Sequence, residues 1–579
     1  MKLLQAKTSK GTNLYIIKSY RYNGKSTSKI VKKCGRLEDL AKVYDDPIKH
    51  VLDIKTQLEK EEKEFLKKKG DINFTVSKDS LYKNGNPMRI GGHLYLRPFF
   101  RKLGLDELLK KIQEKTKIEY NLGEVIEYIV YSRILYPTSK RETADVKRFF
   151  LEEPDFELHD IYRALDVIEE NADLIQKFCY KNSSKIAKRN KRILYYDCTN
   201  FYFESEEENG LRQYGVSKEH RPNPIVQMGL FADGNGIPLA FDINPGNTNE
   251  QITLKPLENK IIKDFGLDKI VVCTDAGLAS YENRDFNDHA NRAFVVTQSL
   301  KKLPSHLKKW ALDKSGWKKL SSNEVGFPSL IDEDHEILYK SRYMLEDITI
   351  KDSYGKPIKI QKGWRLIVTY SPIYAKYQLE ILNKQVERAK KIIANPNSYK
   401  KGSMNDVKRF IKNLSFDSNG EIVTNNTLLF DEELLTKEKQ FVGYYGLTTN
   451  LKDKVQDIVS INHNRWKIEE SFRIMKTDFK SRPVFHYKDD RIKAHFLTCY
   501  LALLIFRLLQ LKVKDKFTSS ELLTTLRNMY YVKLKEGYIT NFAASPVIDE
   551  LNAMLDMKTD FGCYTYKEMR HLINSSKNY

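Results

Sequence analysis

The sequence predicts a multidomain α/β protein in which helices flank a central mixed β-sheet. A mainly β insertion interrupts this core, with a helical region before it and a small helical region after it. Three observations predict this class: β-rich and helical patterns alternate from residue 193 to 298, apolar residues recur at helical spacing on both sides of that stretch, and the chain has 579 residues. Because that length exceeds one hydrophobic core, we expect two to four domains.

The first 190 residues are predicted to form two regions. Residues 13–34 are typical of two strands joined at Asn23-Gly24, which accepts the positive φ angles of a tight turn, so we interpret 1–45 as a basic β-hairpin region. Apolar residues at helical spacing, as in LGEVIEYIVYSRIL, then predict a mainly helical region over 46–190. Its last segment, KNSSKIAKRNKR, is basic without an acidic residue, and we favour a solvated loop over a DNA-facing linker.

The stretch from 193 to 298 carries the pattern of the core. Three β-rich runs come first, ILYYDCTNFYF, IVQMGLFAD and IPLAFDIN. Thr248 and Gln251 have capping-box spacing and predict a helix to about residue 264, and KIVVCTD and AFVVTQ predict two more strands with a helix between them. The order β-β-β-α-β-α-β is that of an RNase H-like fold, in which carboxylates on the first and fourth strands meet at one edge of the sheet. We therefore assign 191–300 and 441–512 to an RNase H-like catalytic core.

Residues 301–440 depart from this pattern and predict an inserted, mainly β subdomain with one helical run from 374 to 394. The core pattern returns at FVGYYGLTTN, followed by a long helix from about 453 to 480 and an apolar helix from about 490 to 512. The uninterrupted apolar run of that last helix is too short to span a bilayer, so we expect it in the core and expect no membrane contact. Residues 513–579 are predicted to form a C-terminal helical region.

Composition limits the function classes. Lys and Arg outnumber Asp and Glu by 98 to 77, a formal charge of +21, and this balance favours a polyanionic partner such as nucleic acid. An AT-rich genome also favours Lys, Asn, Ile and Tyr codons, so charge alone leaves the partner open. The N-terminus has no apolar run of the length a secretory signal needs, and the cysteines lack paired C-x-x-C spacing. We expect a protein inside the cell without a zinc knuckle or a disulfide framework.

Two aspartates end apolar runs on the first and fourth predicted strands of the core. Asp197 follows ILYY and Asp275 follows IVVCT, so each is predicted where a buried strand breaks towards an active-site edge. An aspartate that only caps a strand end is the alternative for either position, but the pair on these two strands favours a common site. Because hard divalent cations prefer carboxylate ligands, the pair predicts a metal site.

The helical segment NRWKIEESFRIMKTDF supplies a third candidate acid. Its apolar residues fall on one helix face, and Arg465, Glu469 and Lys476 lie together beside that face. This arrangement suits a metal-binding carboxylate between two cations that hold phosphates. The alternative is an ordinary surface pair of Arg465 and Glu469, which stabilises a helix by only tenths of a kcal/mol. Glu470 is the rival acid, but it lies about 100° further from the apolar face.

Four segments, DCTNFYFE, QMGLFADGNGIPLAFDINPGNTNE, VVCTDAGLAS and RWKIEESFRIMK, resemble the insertion-sequence transposases of the DDE class. The chain is similar to the IS-four group, in which a Tyr-x2-Arg-x3-Glu-x6-Lys signature surrounds the last catalytic acid and a β subdomain is inserted before it. Arg465, Glu469 and Lys476 keep that spacing, whereas Asn462 stands where the signature has Tyr. The resemblance covers roughly residues 90–510.

This resemblance implies a DNA transposase that cleaves the ends of an insertion sequence and transfers the strand into target DNA. It implies Asp197, Asp275 and Glu469 as catalytic residues and as ligands of two Mg²⁺ ions, for which Mn²⁺ substitutes. Arg465 and Lys476 would position DNA phosphates, and region 46–190 would be DNA-binding and recognise the terminal inverted repeats. The resemblance also implies a homodimer on DNA in the bacterial cytoplasm, associated with the nucleoid.

Two other functions stay open: an RNase H-like DNA nuclease without joining activity, and a non-catalytic, domesticated DNA-binding relative. Two more residues are DNA-binding candidates. Arg482 is a candidate phosphate contact, and Trp466 either stacks on a base or packs against another domain, of which we favour packing. For His486 and His495 we favour an ordinary buried or hydrogen-bonded role over contact with DNA.

Overall fold

The computed structural model describes residues 1–8, 11–22, 25–68, 87–267, 269–289, 291–330, 335–351, 354, 356–396, 407–413, 415, 422 and 427–577. The N-terminal unit is an antiparallel three-stranded sheet with two helices: β1 (Lys2–Thr8), β2 (Gly11–Tyr22), β3 (Lys25–Arg36), α1 (Leu37–Leu40) and α2 (Pro47–Lys68). The predicted hairpin corresponds to β2 and β3, but its Asn23-Gly24 turn lies outside the described residues. The hairpin prediction missed β1, which completes a small core around Leu14, Ile16 and Val51.

A short strand and six helices follow, which confirms the helical prediction for this part of the chain. They are β4 (Met88–Ile90), α3 (Arg97–Lys102), α4 (Leu105–Gln113), α5 (Leu122–Leu135), α6 (Lys140–Val146), α7 (Leu158–Glu170) and α8 (Ala172–Ile186). The side chain of Asn121 caps α5 by accepting a hydrogen bond from the Glu124 amide. α5 is buried on nearly all sides, so it is the centre of this helical layer rather than a surface helix.

The core sheet has the predicted element order, with seven elements: β5 (Ile193–Tyr202), β6 (Ile225–Asp233), β7 (Pro238–Pro245), α9 (Glu250–Phe265), β8 (Val271–Thr274), α10 (Tyr281–Phe286) and β9 (Ala293–Gln298). β5, β6 and β7 pair antiparallel, whereas β8 is parallel to both β5 and β9. The first and fourth strands of the core are therefore neighbours, as predicted. The predicted cap of α9 was wrong by one residue, because Asn249, not Thr248, accepts the hydrogen bond from the Gln251 amide.

The insertion extends the core sheet. Its described elements are α11 (Ser305–Leu312), β10 (Lys318–Lys319), β11 (Leu338–Lys351), β12 (Pro357–Tyr370), α12 (Pro372–Ala394), β13 (Ile411–Lys412), β14 (Leu429–Phe430) and α13 (Glu432–Lys439). The chain then returns to the core with β15 (Tyr444–Thr449). One nine-stranded sheet results, in the order β10-β11-β12-β15-β9-β8-β5-β6-β7. The prediction of a mainly β insertion was wrong, because the 23-residue α12 makes its described part mixed.

The segment after β15 was predicted as one long helix, and the structure breaks it. α14 (Val455–His463) ends before Asn464 and Arg465, α15 (Trp466–Arg473) follows, and a π-helical turn covers Ile474–Asp478. Single π turns inside helices are frequent at functional sites. The apolar α16 (Asp489–Lys512) confirms the other helix prediction. By length and composition the helix could cross a membrane, contrary to the expectation from its apolar run, but 94% of its most apolar stretch is buried inside the protein, where the sequence predicted it.

The C-terminal region was predicted to be helical, and the structure corrects this to mixed α/β. Its elements are α17 (Ser519–Asn528), β16 (Tyr530–Lys533), β17 (Gly537–Thr540), α18 (Pro546–Leu555), β18 (Cys563–Thr565) and α19 (Tyr566–Lys577). The three strands form a four-stranded sheet with β4, in the order β18-β17-β16-β4. Strands of three or four residues are too short to show a two-residue period, so the sequence pattern did not reveal them.

The basic segment that links the helices to the core contains a buried ion pair. Arg189 donates a hydrogen bond from Nε to Asp233 Oδ2 at 2.8 Å, and both side chains are fully buried. Its Nη2 also donates to the backbone carbonyls of Ile237 and Pro238. The prediction of a solvated loop was therefore wrong at Arg189, which fastens the segment to the turn between β6 and β7.

Candidate active site

The sheet register places the two predicted aspartates beside each other. β5 and β8 run parallel with Tyr195 opposite Cys273, and Asp197 and Asp275 each lie two residues further on. They are therefore level with each other and on the same side of the sheet. β8 ends at Thr274, so Asp275 lies at a strand end as predicted, whereas β5 continues to Tyr202 and Asp197 lies inside its strand.

The aspartate pair carries negative charge that its surroundings neutralise only in part. Burial is the main cause that raises the pKa of Asp197 to about 7; the charges of Lys218 and Arg465 lower this pKa, and the charge of Asp275 raises it. Asp197 Oδ1 accepts a hydrogen bond from the Cys198 amide at 2.8 Å. A positive counter-charge at this position would therefore favour the ionised form of Asp197.

A lysine and a glutamate that the sequence analysis missed lie beside Asp197. Lys218 Nζ donates to the backbone carbonyl of Cys198 at 2.5 Å and pairs with Glu250 Oε1 at 2.9 Å. Lys218 lies in the connection between β5 and β6, which carries no motif, so its sequence gave no signal. Glu250 is the first residue of α9, and an acid at the start of the helix that follows the third strand of the core was a usable signal.

Arg465 and Glu469 form an ion pair at the rim of the site. Arg465 Nη2 lies 2.9 Å from Glu469 Oε1, and Glu469 is half-exposed. The charge of Arg465 also lowers the pKa of Asp197, so the guanidinium acts on both Glu469 and the aspartate pair. The structure therefore brings Arg465 to Asp197 but does not bring Glu469 to the two aspartates.

Lys476 and Arg482 meet at a second glutamate that the sequence analysis missed. Lys476, in the π-helical turn, has its Nζ 3.6 Å from Glu219 Oε1, and Arg482 pairs with the same carboxylate. Burial and the charge of Lys218 lower the pKa of Lys476 to about 8, while Asp197 raises it. Lys476 therefore belongs to the cluster of charges around Asp197, and Arg482 extends that cluster outward.

Two other residues of α15 have clear places. Glu470 accepts hydrogen bonds from Arg507 at 3.1 Å and from Ser519 at 2.6 Å, so this rival acid joins α15 to α16 and α17. Trp466 is 47% exposed. Because about half of this side chain is exposed, the structure does not support our preference for packing of Trp466 against another domain.

The aspartate pair fits a divalent cation as two of its ligands, because two neighbouring carboxylates of which one is largely buried favour a bound positive charge. The third predicted ligand is not assembled. Within the described residues, no three His, Cys, Asp or Glu side chains form a group that could hold a metal ion. All six cysteines are free thiols, as the scattered spacing predicted.

A family profile described as "Transposase DDE domain" matches residues 188–505, more than half of the chain. The chain belongs to this family of DDE transposases. The match spans Asp197, Asp275 and Glu469 together with the insertion between the last two. A comparison with curated proteins returned no match.

Two solved transposase structures are similar at low levels. One is a cryo-EM structure of a piggyBac transposase synaptic complex with hairpin DNA, with a TM-score of 0.34 and 10% identity over 84% of this chain and 85% of that chain. The other is a Mos1 transposase paired-end complex with the left transposon end, with a TM-score of 0.13 and 11% identity over 37% of this chain and 58% of that chain. The assignment to the family depends on the profile match alone.

Proposed function

We propose that this transposase cleaves DNA at the ends of an insertion sequence and transfers the freed strand into target DNA. The observation that carries the proposal is the parallel register of β5 and β8, which sets Asp197 level with Asp275 inside a cluster of cations. Lys218, Arg465 and Lys476 give that cluster the charge that a DNA phosphate requires beside a carboxylate pair.

Asp197 and Asp275 would hold the divalent cations, with Mg²⁺ as the natural ion and Mn²⁺ as a substitute. Two such cations activate the attacking oxygen and stabilise the leaving oxygen in phosphodiester chemistry. Glu469 would become the third ligand when its carboxylate leaves Arg465, and Arg465 would then hold a DNA phosphate. Lys476 would hold another, and Lys218, anchored by Glu250 and the Cys198 carbonyl, would keep the ionised form of Asp197 favoured.

The wider assignments follow from the same proposal. We place the chain in the IS-four-like group, with Asn462 in place of the signature Tyr. Residues 46–190 would bind the terminal inverted repeats, Arg482 would contact DNA, and exposed Trp466 would stack on a base. The transposase would act as a homodimer on DNA in the bacterial cytoplasm, associated with the nucleoid.

The test is Mg²⁺-dependent nicking of a labelled DNA that carries the element's own ends. We expect Asp197→Asn and Glu469→Gln to lose nicking, since each removes a charged ligand of similar size. The matched controls are Asp549→Asn and Glu432→Gln, exposed acids on α18 and α13, which should nick like the wild type. Nicking retained by Asp197→Asn would contradict the assignment of the metal site.

The paired state of Glu469 favours one alternative specifically. A non-catalytic DNA-binding relative would keep the Arg465–Glu469 pair and never assemble three acids. Wild-type protein that binds the end DNA tightly without nicking it, under conditions where a control transposase cuts, would support that alternative. Nicking without strand-transfer products would instead support an RNase H-like nuclease.

A further inference from the structure

A basic pocket lies beside the active site, where the end of α5 and the start of α6 meet the segment between the π-helical turn and α16. Its volume is about 270 Å³, and five cationic side chains line it: Arg133, Lys140, Arg141, Lys480 and Arg482. We call this cavity the Lys140 pocket. Among the described residues that line it there is no Asp or Glu. A pocket of this charge and size is suited to an anion.

The cations of the Lys140 pocket largely lack counter-charges. Arg133 donates to the backbone carbonyls of Phe479 and Lys480 at 3.0 and 3.3 Å, and its Nε is buried without a hydrogen-bond partner. Lys140 is only 5% exposed, and within the described part of the chain its amine forms no hydrogen bond or ion pair. A buried cation without a partner is costly, so these side chains favour a ligand that supplies negative charge.

The lowered pKa values of the groups in the pocket also indicate that its positive charges lack a negative partner. Burial and the charge of Arg133 lower the pKa of Lys140 to about 7. Burial and the charges of Lys140 and Arg133 lower the pKa of His486 to about 3. His495 is also buried, and its Nδ1 has no hydrogen-bond partner in the described structure. The burial of His486 and His495 is consistent with the structural role that we expected from the sequence. Neutral histidine rings supply no negative charge to balance the neighbouring cations.

The pocket is continuous with the active-site charges. Arg482, on its wall, pairs with Glu219, and Lys476 lies 3.6 Å from the same carboxylate. The charge of Asp197 in turn raises the pKa of Lys476. An exposed aromatic ring, Phe485, also lines the pocket and is 57% exposed. The Lys140 pocket is therefore linked to the charges around Asp197 through Arg482, Glu219 and Lys476.

We propose that the Lys140 pocket binds a backbone phosphate of the DNA strand held at the active site. This proposal rests on the proposed function, since it takes DNA as the substrate. The volume is ample for one phosphate group. Arg133 and Arg141 provide charged donors from one side, and Lys480 provides one from the other. A bound phosphate would favour the protonated form of Lys140, which then donates as well. Free inorganic phosphate has the same chemistry, so the experiment must separate the two sources.

The first measurement is the reactivity of Lys140 and Lys480 towards a small amine-reactive reagent at pH 8, followed by peptide mass spectrometry. The neutral amine of Lys140 reacts at this pH because its pKa is about 7. End DNA should slow labelling of both lysines in the presence of Ca²⁺, which replaces Mg²⁺ to prevent turnover. Inorganic phosphate at the same phosphate concentration should not. Equal protection by inorganic phosphate would overturn the proposal in favour of a free-anion site.

The second measurement is the salt dependence of DNA affinity, by fluorescence anisotropy. Arg141→Ala and Lys480→Ala change exposed side chains, so neither should unfold the protein. Each should lower the slope of log affinity against log salt by about one, the value for one lost phosphate contact. Arg570→Ala, an exposed cation on α19, is the matched control and should leave the slope unchanged. Unchanged slopes and no protection of Lys140 by DNA would refute the proposal. Protection without any Mg²⁺-dependent nicking would refute the proposed catalysis instead and keep the pocket.

Discussion

Glu258 in α9 is a buried acid whose charge the fold opposes. Its side chain is fully buried, and Oε2 accepts a hydrogen bond from Asn287 Nδ2 at 3.0 Å. Glu258 Oε1 and Asn287 Oδ1 are both buried acceptors without a hydrogen-bond partner in the described structure. Burial raises the pKa of Glu258 to about 7, against opposing effects of Asn287 and Arg292. A proton on Glu258 supplies the donor that these acceptors need.

We therefore predict that Glu258→Gln stabilises the protein at alkaline pH. The folded state keeps its proton up to about pH 7, whereas the unfolded chain loses it near the ordinary value of 4.5. The folded state binds more protons in this window, so wild-type stability falls as pH rises through it. The glutamine is neutral at every pH. Its advantage over the wild type should grow by about 2–3 kcal/mol between pH 5 and pH 8, at about 1.4 kcal/mol per pH unit.

The assay is urea unfolding at pH 5 and pH 8, followed by tryptophan fluorescence, with the difference between variant and wild type compared at the two pH values. Glu282→Gln on the neighbouring α10 is the matched control, because its side chain is exposed. The difference in unfolding free energy between Glu282→Gln and the wild type should be the same at pH 5 and pH 8. An advantage of Glu258→Gln that stays constant with pH, or that shrinks as pH rises, would refute the reasoning.

Three further changes test other parts of the structure. Asp233→Asn leaves Arg189 buried without its carboxylate, so urea unfolding should show a loss of about 3–5 kcal/mol, and a loss below 1 would show that the pair is hydrated. Leu504→Ala in the buried centre of α16 should cost about 2–5 kcal/mol by the same assay, and an unchanged midpoint would remove α16 from the core. Trp466→Ala should leave the melting temperature within about 2 °C of wild type, because the ring is half-exposed, while weakening binding of single-stranded DNA; a large drop in melting temperature would restore the packing interpretation.

Sequence patterns predicted the core elements where the local signal was strong. β5 to β9 alternate with α9 and α10 in the predicted order, because long apolar runs bounded by turns identify buried strands. The patterns failed where the signal was short or ambiguous. The C-terminal strands have only three or four residues, and the long helix after β15 breaks at Asn464 and Arg465, where no Gly or Pro marks an end.

The catalytic candidates divide in the same way. Asp197 and Asp275 were predictable, because residue type and position on the first and fourth strands are properties of the chain order. For Glu469 the sequence left two roles open, a metal ligand or a surface pair with Arg465, and only the side-chain distances in the folded protein show that the pair forms. Lys218 and Glu219 were missed, since they lie in a connection that carries no periodicity to mark them. Glu250 was missed although an acid at the start of α9 was a usable signal.

The sequence by itself determined the family, the order of the core elements and the two acids on adjacent strands. Hydrophobic periodicity and motif spacing are encoded locally, so they can be read without a structure. Only the tertiary structure decided which charges are compensated. It buried Arg189 against Asp233, tied Glu469 to Arg465, and left Lys140 without a counter-charge among the described residues. Burial and distance fix such energies, and both arise only when segments remote in sequence pack together.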